Sequence, residues 1–239
     1  MSIPLFYTSG TIAKGATLAL ETEEAYHALK VLRMKVGDRL ILTDGKGCRG
    51  LSEIILLSKH DCAVSVVETE TVSPRPFRIH IAIAPTKSID RFEWFLEKAT
   101  ELGIEEITPL ICEHSERRIV KAERCHKILL AAMKQSEQSW LPVLHEAIHL
   151  DKFVKAENSM EKFIGWCGTG KEEHLAHVYH KGCNAVVLIG PEGDFSDKEV
   201  ALARSLSYVP VNLGPNRLRT ETAGVAACSI LNVMNAFEI

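Results

Sequence analysis

The sequence has no cysteine pair of the Cys-x-x-Cys kind, and its seven cysteines, Cys48, Cys62, Cys112, Cys125, Cys167, Cys183 and Cys228, are odd in number and scattered. That argues against both a disulfide framework and a thiolate zinc site, and predicts reduced thiols packed in a core. No apolar run approaches the roughly 18 to 20 residues that a membrane span needs, and the stretch from Met1 to Tyr7 lacks the basic and apolar regions of a secretion signal. A cytosolic protein with no membrane partner is the expectation. Charge of one sign is lacking too: 28 Lys and Arg stand against 31 Asp and Glu, a formal net charge of -3, so any nucleic acid must be met by a local basic patch. There is no solenoid repeat and no low-complexity tract. What is present is 239 residues, 46% of them hydrophobic, enough to bury a core in one large domain or two smaller ones.

The first part, residues 1–72, predicts short strands around one helix. Thr22 to Met34 carries Tyr26, Leu29, Leu32 and Arg33 at helical spacing, closed by Gly37-Asp38. Arg39 to Thr43, Leu51 to Leu57 and Cys62 to Glu68 read as strands, the first two joined by a tight turn at Asp44-Gly45-Lys46-Gly47. A small β-barrel fits this pattern. Ser73-Pro74-Arg75-Pro76 cannot continue a helix or a central strand and predicts a linker.

From residue 77 to residue 239 strands and helices alternate, the mark of an α/β domain with a parallel sheet. Arg78 to Ala84, Ile107 to Ile111 and Phe163 to Trp166 read as strands. Asp90 to Leu102 is the clearest helix, with Asp90 able to cap it and Phe92, Phe95, Leu96, Ala99 and Leu102 on one face; Glu123 to about Ser136 is a second. Two further strand-loop-helix units follow, Ala185 to Ile189 and Val209 to Leu213, each stopping at Gly-Pro, with a capping box at Ser196-Asp-Lys-Glu199 and a helix from Ala223 to Asn235. Consecutive units of this kind imply parallel neighbouring strands, and ligands in such sheets settle beyond the carboxyl ends of the strands.

Four patterns compete for attention. Gly45-Lys-Gly47-Cys-Arg-Gly50 spells a dinucleotide fingerprint, but a strand rather than a helix follows, so a hairpin turn is expected. His145-Glu146-Ala-Ile-His149 spells a zinc motif that works on a helix, whereas Pro142 and Leu141-Pro-Val-Leu favour an extended or turn segment. His174, His177 and His180 have helix-face spacing that a solvated surface explains equally. Glu113 to Lys127 carries Arg117, Arg118, Lys121, Arg124 and Lys127 with His114 and His126, either a phosphate-contacting strip or a solvated helix entry.

The pair Ile189-Gly-Pro-Glu-Gly193 and Leu213-Gly-Pro-Asn-Arg-Leu-Arg-Thr-Glu-Thr-Ala223 resembles the RsmE family, which methylates N3 of a uridine in bacterial 16S ribosomal RNA. The resemblance continues in His27-Ala-Leu-Lys-Val-Leu-Arg33, Gly37-Asp38, Asp44-Gly45, Lys87, Glu97-Lys-Ala-Thr-Glu-Leu-Gly103 and Gln135-Ser136, and covers nearly the whole chain. It implies an N-terminal PUA-like β-barrel for RNA and a SPOUT-type domain whose C-terminal segment is threaded into a trefoil knot, an exception to the unthreaded rule. It further implies a homodimer acting on the small ribosomal subunit, with S-adenosylmethionine among three loops and no resident metal. On that basis the cofactor residues are Cys167, Gly168, Ile189, Gly190, Pro191, Gly193, Leu213, Gly214, Leu218 and Thr220, and the RNA contacts Arg33, Lys87, Arg117 and Arg118. Asn216, Arg217, Gln138 and Asp194 depart from the family pattern.

Uridine N3 carries a proton, so an enzyme of this kind must create or stabilise an anionic uracil. Arg219 is the candidate to stabilise charge on the uracil carbonyl, and Glu192 or Glu221, if buried, to accept the proton. Alternatively Glu221 caps the last helix and Arg219 pairs with it. The stripe Ala223, Gly224, Ala226, Ala227 and Ser229 would suit either a partner helix or packing within one subunit. The rival functions are a non-catalytic RNA-binding factor and a zinc hydrolase built on His145 and His149.

Overall fold

The structure, a computed structural model, describes residues 3–58, 61–158, 161–166, 168 and 172–236. By its internal contacts the chain forms two units, one of Met1–Pro74 with Met133–Leu141, the other of Arg75–Ala132 with Pro142–Ile239.

The first unit is a five-stranded sheet. β1 (Leu5–Tyr7) and β2 (Thr17–Ala19) precede a short helix, α1 (Thr22–Tyr26), and β3 (Arg39–Thr43), β4 (Cys48–Leu57) and β5 (Cys62–Thr71) follow, in the order β1-β3-β4-β5-β2. Alternate residues Leu40, Leu42, Ile54 and Val64 turn inward and join Phe6 in the core, all fully buried. Register shifts along β4 and β5 supply the bends that a closing sheet needs. The helix expected over Thr22 to Met34 is shorter: after Tyr26 the chain makes a π-helical turn, His27–Val31, with the Leu32 N–H donating to the His27 carbonyl, and Arg33 takes φ of 54°. The expected buried face is also rotated. Ala25 and Ala28 lie against the sheet, while Tyr26 and Leu32 are exposed, because the small side chains permit the closer approach.

The glycines of the apparent dinucleotide fingerprint have turn and packing duties. Gly45 and Gly47 have φ of 68° and 95°, Asp44 Oδ1 accepts from the Lys46 and Cys48 N–H groups, and β4 begins at once, three residues before the expected start. Residues 133–141 complete this unit: Arg49 donates to the Glu137 carbonyl, Lys134 pairs with Glu24, and the Trp140 indole donates to the Val72 carbonyl.

In the second unit every strand pairing is parallel. The elements in order are β6 (Ile79–Ile83), α2 (Ile89–Glu101), β7 (Glu106–Ile111), α3 (Ala122–Gln135), β8 (Val143–Leu144), β9 (Ile148–His149), α4 (Leu150–Ala156), β10 (Glu161–Gly165), β11 (Glu173–His174), α5 (Leu175–Val178), β12 (Ala185–Ile189), α6 (Asp197–Ser205), β13 (Val209–Asn212) and α7 (Thr220–Ala236). The sheet runs β11-β13-β10-β12-β6-β7-β8, with β9 beside β7. β12 is apolar throughout and β6 is apolar but for His80, and both are wholly buried, as central parallel strands are.

Two expectations fail here. β12 and β13, read as neighbours, are parallel but separated by β10, which pairs with both although only Phe163 and Ile164 of it are buried. In α2 the apolar face is as expected, Phe92, Phe95, Leu96 and Ala99 being fully buried, but the N-cap position is Ser88, not Asp90, and Glu93 is occupied by Arg124. The capping box at Ser196 and Glu199 forms as read. α7 packs beside α2 and against β6 and β12, burying one face. Gly224 makes this possible: a Cβ there would stand 2.7 Å from the Phe95 ring and 2.8 Å from Ile83 Cδ1.

Candidate functional site

Parallel registry brings three strand ends to one level. Gly165 pairs with Ile189 and with Val211, and Ile189 pairs with Ile83. The loops after β10, β12 and β13 therefore open on the same edge of the sheet, even though their strands are not consecutive.

Each loop is shaped locally. After β12, Gly190 lies under Phe195, whose ring would be 3.2 Å from an added Cβ, and a turn from Pro191 to Asp194 is closed by the Asp194 N–H donating to the Pro191 carbonyl, with Asp194 at φ of 63°. Asp194 can adopt this left-handed conformation better than most residues, which accounts for an aspartate in place of the family's glycine. After β13, the Gly214 N–H donates to Asn212 Oδ1 and Gly214 takes φ of 135°. α7 then starts, the Arg219 carbonyl accepting its first bond from the Ala223 N–H, so that the Arg219 side chain stands at the mouth of the loop.

Two adjoining clefts result. One, of about 380 Å³, is lined by Gly190, Pro191, Glu192, Arg219 and Thr220, among others; the second, of about 470 Å³, runs past Trp166, Asn212, Leu213 and Gly214; both share Gly165, Ile189, Asp194, Arg217, Leu218 and Ala223. The turns carrying Glu192 and Arg219 thus line one space. Of the other expected cofactor residues, Gly193 and Gly168 lie outside these walls: Gly193 is packed on His114, and Gly168 faces the Trp166 ring, which an added Cβ would strike at 2.2 Å. Cys167 lies outside the described residues.

The charged residues separate by environment. Arg219 is exposed and, among the described residues, makes no ion pair or side-chain hydrogen bond. Glu221 is buried but points away, its Oε1 3.9 Å from Arg91 Nε. The alternative pairing of Arg219 with Glu221 is therefore replaced by one with Arg91 of α2. Glu192 lines the cleft and its Oε1 accepts from the Lys87 N–H at 2.9 Å, but it is exposed, so the burial on which its role as a base was conditioned is absent.

Beside this turn lies the expected RNA strip. Arg117 donates to the carbonyls of Thr86 and Lys87 and so fixes the loop that holds Glu192. Lys87 Nζ pairs with Glu116, and that bond holds the ammonium pKa above its ordinary value. Arg118 is exposed and lines a shallow hollow with Lys87 and the exposed Ile119. Arg124 is not available as a contact, being held by Glu93. Arg33, in the first unit, is exposed. His114, read only as part of the strip, accepts a different duty: its Nδ1 lies 3.0 Å from the Asp194 carbonyl and 3.1 Å from that of Gly193, and those carbonyls raise the imidazole pKa. No local pattern could have paired residues 80 positions apart. Trp166 and Arg217 line the clefts within the expected loops, Gly165 to Gly170 and Leu213 to Thr220, whereas Asp194 and Ala223 line them from just outside the expected spans.

The zinc motif is not on a helix: His145 follows β8, His149 ends β9, and both are exposed. His174 caps the four-residue α5 and His180 lies beyond it, paired with Glu161. Six cysteines are free, and burial raises the thiol pKa of Cys125 to about 11 and of Cys228 to about 12. Among the described residues no helix is long and apolar enough to cross a membrane.

Comparison with known proteins agrees with this geometry. Residues 73–232 match the RNA methyltransferase domain model and residues 20–67 the RNA methyltransferase PUA domain model. The Ribosomal RNA small subunit methyltransferase E of Synechocystis is 30% identical, over 92% of this chain and 74% of its own. A probable rRNA-methyltransferase from Porphyromonas gingivalis superposes with a TM-score of 0.91 at 41% identity, covering 98% of this chain and 99% of that one. Ribosomal RNA small subunit methyltransferase E from Neisseria gonorrhoeae, bound to S-adenosyl methionine, gives 0.89 at 27% identity, covering 98% of each chain. With a PUA-like unit ahead of a parallel-sheet domain and two glycine turns meeting in one cleft, the chain belongs to the RsmE family of S-adenosylmethionine-dependent ribosomal RNA methyltransferases.

Proposed function

We propose that this protein methylates N3 of a uridine in 16S ribosomal RNA of the small subunit, in the cytosol, with residues 1–72 engaging RNA and residues 77–239 performing the transfer. The observation that carries the site assignment is the shared cleft of the Glu192 and Arg219 turns. The residues fit S-adenosylmethionine: Ile189, Leu213, Leu218 and Ala223 offer apolar walls for an adenine, and the carboxylates of Asp194 and Glu172 suit a cationic sulfonium and amino group. When bound, that cofactor supplies an already activated methyl group. Cys167 and Gly168 belong to the third loop in this scheme.

The chain's own task is the uracil. Arg219, a permanent cation that makes no ion pair among the described residues, is aimed at the carbonyl oxygen on which charge develops as N3 loses its proton. Glu192, the carboxylate that lines the cleft beside Arg219, is exposed, so the bias toward proton loss comes from Arg219 stabilising the uracil oxygen and not from burial of the acceptor; Glu192 receives the proton and passes it to solvent. Glu221 favours the N-terminus of α7 electrostatically and is held by Arg91, a positioning duty. Glu192→Gln is expected to lower kcat by about 100-fold with unchanged melting temperature, whereas Glu221→Gln should retain turnover and lose about 1 kcal/mol of stability. Equal turnover in wild type and Glu192→Gln would remove Glu192 from the scheme.

Lys87, Arg117 and Arg118 flank the cleft on its RNA side, and Arg33 adds a contact from the barrel. The target base must be unpaired or flipped, since N3 lies on the Watson-Crick edge. Arg118→Ala is expected to raise KM for RNA and to lower the salt dependence of binding by about one counterion; an unaltered slope would show that Arg118 touches no phosphate. The small-residue stripe divides: Gly224 and Ala227 are buried within the subunit, whereas Ala226 and Ser229 lie with Ile230, Val233 and Met234 along a shallow apolar hollow, the face proposed for the second copy of a homodimer. Mass mapping of rRNA nucleotides after incubation of small subunits with the protein and labelled cofactor tests the assignment; methylation elsewhere than uridine N3 would refute it.

A further inference from the structure

The opposite end of the same sheet carries a second cluster of reactive side chains. His80 of β6 pairs in register with Glu106 of β7 and lies three residues, or about 10 Å, before the cleft end at Ile83. His145 is brought alongside by the Ile107 carbonyl, which accepts its N–H, and Glu157 approaches from the end of α4. Glu106 Oε2 is 2.9 Å from His145 Nε2 and 3.9 Å from His80 Nδ1, while Glu157 Oε2 is 3.4 Å from the same His80 nitrogen. The nearest ligand atoms of His80, Glu106 and His145 all fall within 4.8 Å of one another.

His80 decides what this cluster can hold. Its side chain is buried, 7% exposed, packed edge-on against Phe153, and its Nε2 lies 2.8 Å from Thr108 Oγ1. When Nε2 donates its proton to the threonine hydroxyl, Nδ1 turns a lone pair toward two carboxylates. With His145 in the tautomer that leaves its Nε2 unprotonated, three electron-rich atoms face one another at the edge of the sheet, and a cation between them removes the conflict. A ligating histidine whose other nitrogen is tied to a hydroxyl or carboxylate is the usual arrangement around protein-bound metals. Glu106 is braced in the same way, its Oε1 being taken by Arg78 at 3.0 Å.

The geometry points to a site for a divalent transition-metal ion of the Zn²⁺ class, bound by His80 Nδ1, His145 Nε2 and Glu106 Oε2, with Glu157 at hand as a fourth ligand. Two imidazoles and a carboxylate are a zinc-type donor set. The ion would clamp β6, β7 and the segment after β8 at the end of the sheet remote from the cleft. It uses one histidine of the His145-Glu-Ala-Ile-His149 motif with partners the motif does not contain.

Calorimetric titration of the chelator-treated full chain with Zn²⁺, with Co²⁺ absorption to report coordination, tests this. One ion per chain is expected, with a raised melting temperature; His145→Ala, an exposed position that should fold normally, and Glu106→Gln should each weaken binding by at least about tenfold while leaving S-adenosylmethionine affinity unchanged. Absence of Zn²⁺ binding to the wild-type chain would overturn the inference. Binding that survives His145→Ala but is lost in His177→Ala would also overturn it, placing the ion on the surface pair His174 and His177, whose rings are 5.9 Å apart.

Discussion

Arg219→Ala is expected to lower kcat by about 10² to 10³-fold, with S-adenosylmethionine affinity unchanged in calorimetry. The size follows from what the arginine is free to do. The acid two residues on, Glu221, is turned toward Arg91, and although Glu192 and Asp194 line the same cleft, among the described residues none forms an ion pair with the guanidinium. A cation that is unpaired in the resting protein is reserved for charge that develops later, and a group that interacts only in the transition state lowers kcat rather than affinity when removed. Arg219→Lys separates charge from shape. The ammonium keeps the positive charge but lacks the planar fork, so partial activity is expected. Full activity of Arg219→Ala on small subunits would show that charge on the uracil oxygen is stabilised elsewhere, with Arg217, which lines both clefts, the next residue to test.

That arginine could be chosen from the sequence because the glycine turn, the polar run and the start of α7 are consecutive, and local order fixes where Arg219 must stand. The same holds for α2, for the capping box of α6 and for the hairpin glycines Gly45 and Gly47, each set by a period of 3.6, a side-chain-to-backbone bond or a positive φ. What local order does not determine is which strand lies beside which. β10 enters between β12 and β13 although it is the more polar segment, Glu-Lys-Phe-Ile-Gly, because ladder pairing is made by backbone groups, and nothing in the local residues states the order. The partners of Glu192, Glu221 and His114, namely Lys87, Arg91 and the Asp194 carbonyl, lie 80 to 130 positions away in other elements and are brought near only by the closure of the sheet. The π-helical turn at His27–Val31 escaped for a different reason: the spacing of Tyr26, Leu29 and Leu32 is helical, but two alanines, not the larger side chains, meet the sheet.

Gly224→Val is expected to destabilise the second unit by about 3 kcal/mol, a fall in melting temperature of roughly 6 to 12 °C. At this position a single added carbon already stands 2.7 Å from Phe95 Cδ2 and Cε2, and both Phe95 and Ile83 are fully buried with no solvent to move into. The gain in helix propensity on replacing a mid-helix glycine, less than about 1 kcal/mol, offsets only part of that clash. The effect should reach the cleft, because α7 carries Thr220 and Ala223 into its wall and begins at the Arg219 carbonyl. A helix pushed off α2 by about 1 Å carries these residues with it, and misplacement on that scale can cost about 100-fold in rate. Differential scanning calorimetry with and without S-adenosylmethionine checks both parts: the variant should melt lower and gain less from the cofactor than the wild type. A variant that melts lower yet gains as much would uncouple α7 packing from the methyl-donor site, and one that melts as the wild type does would show that α7 and α2 are not in contact at Gly224.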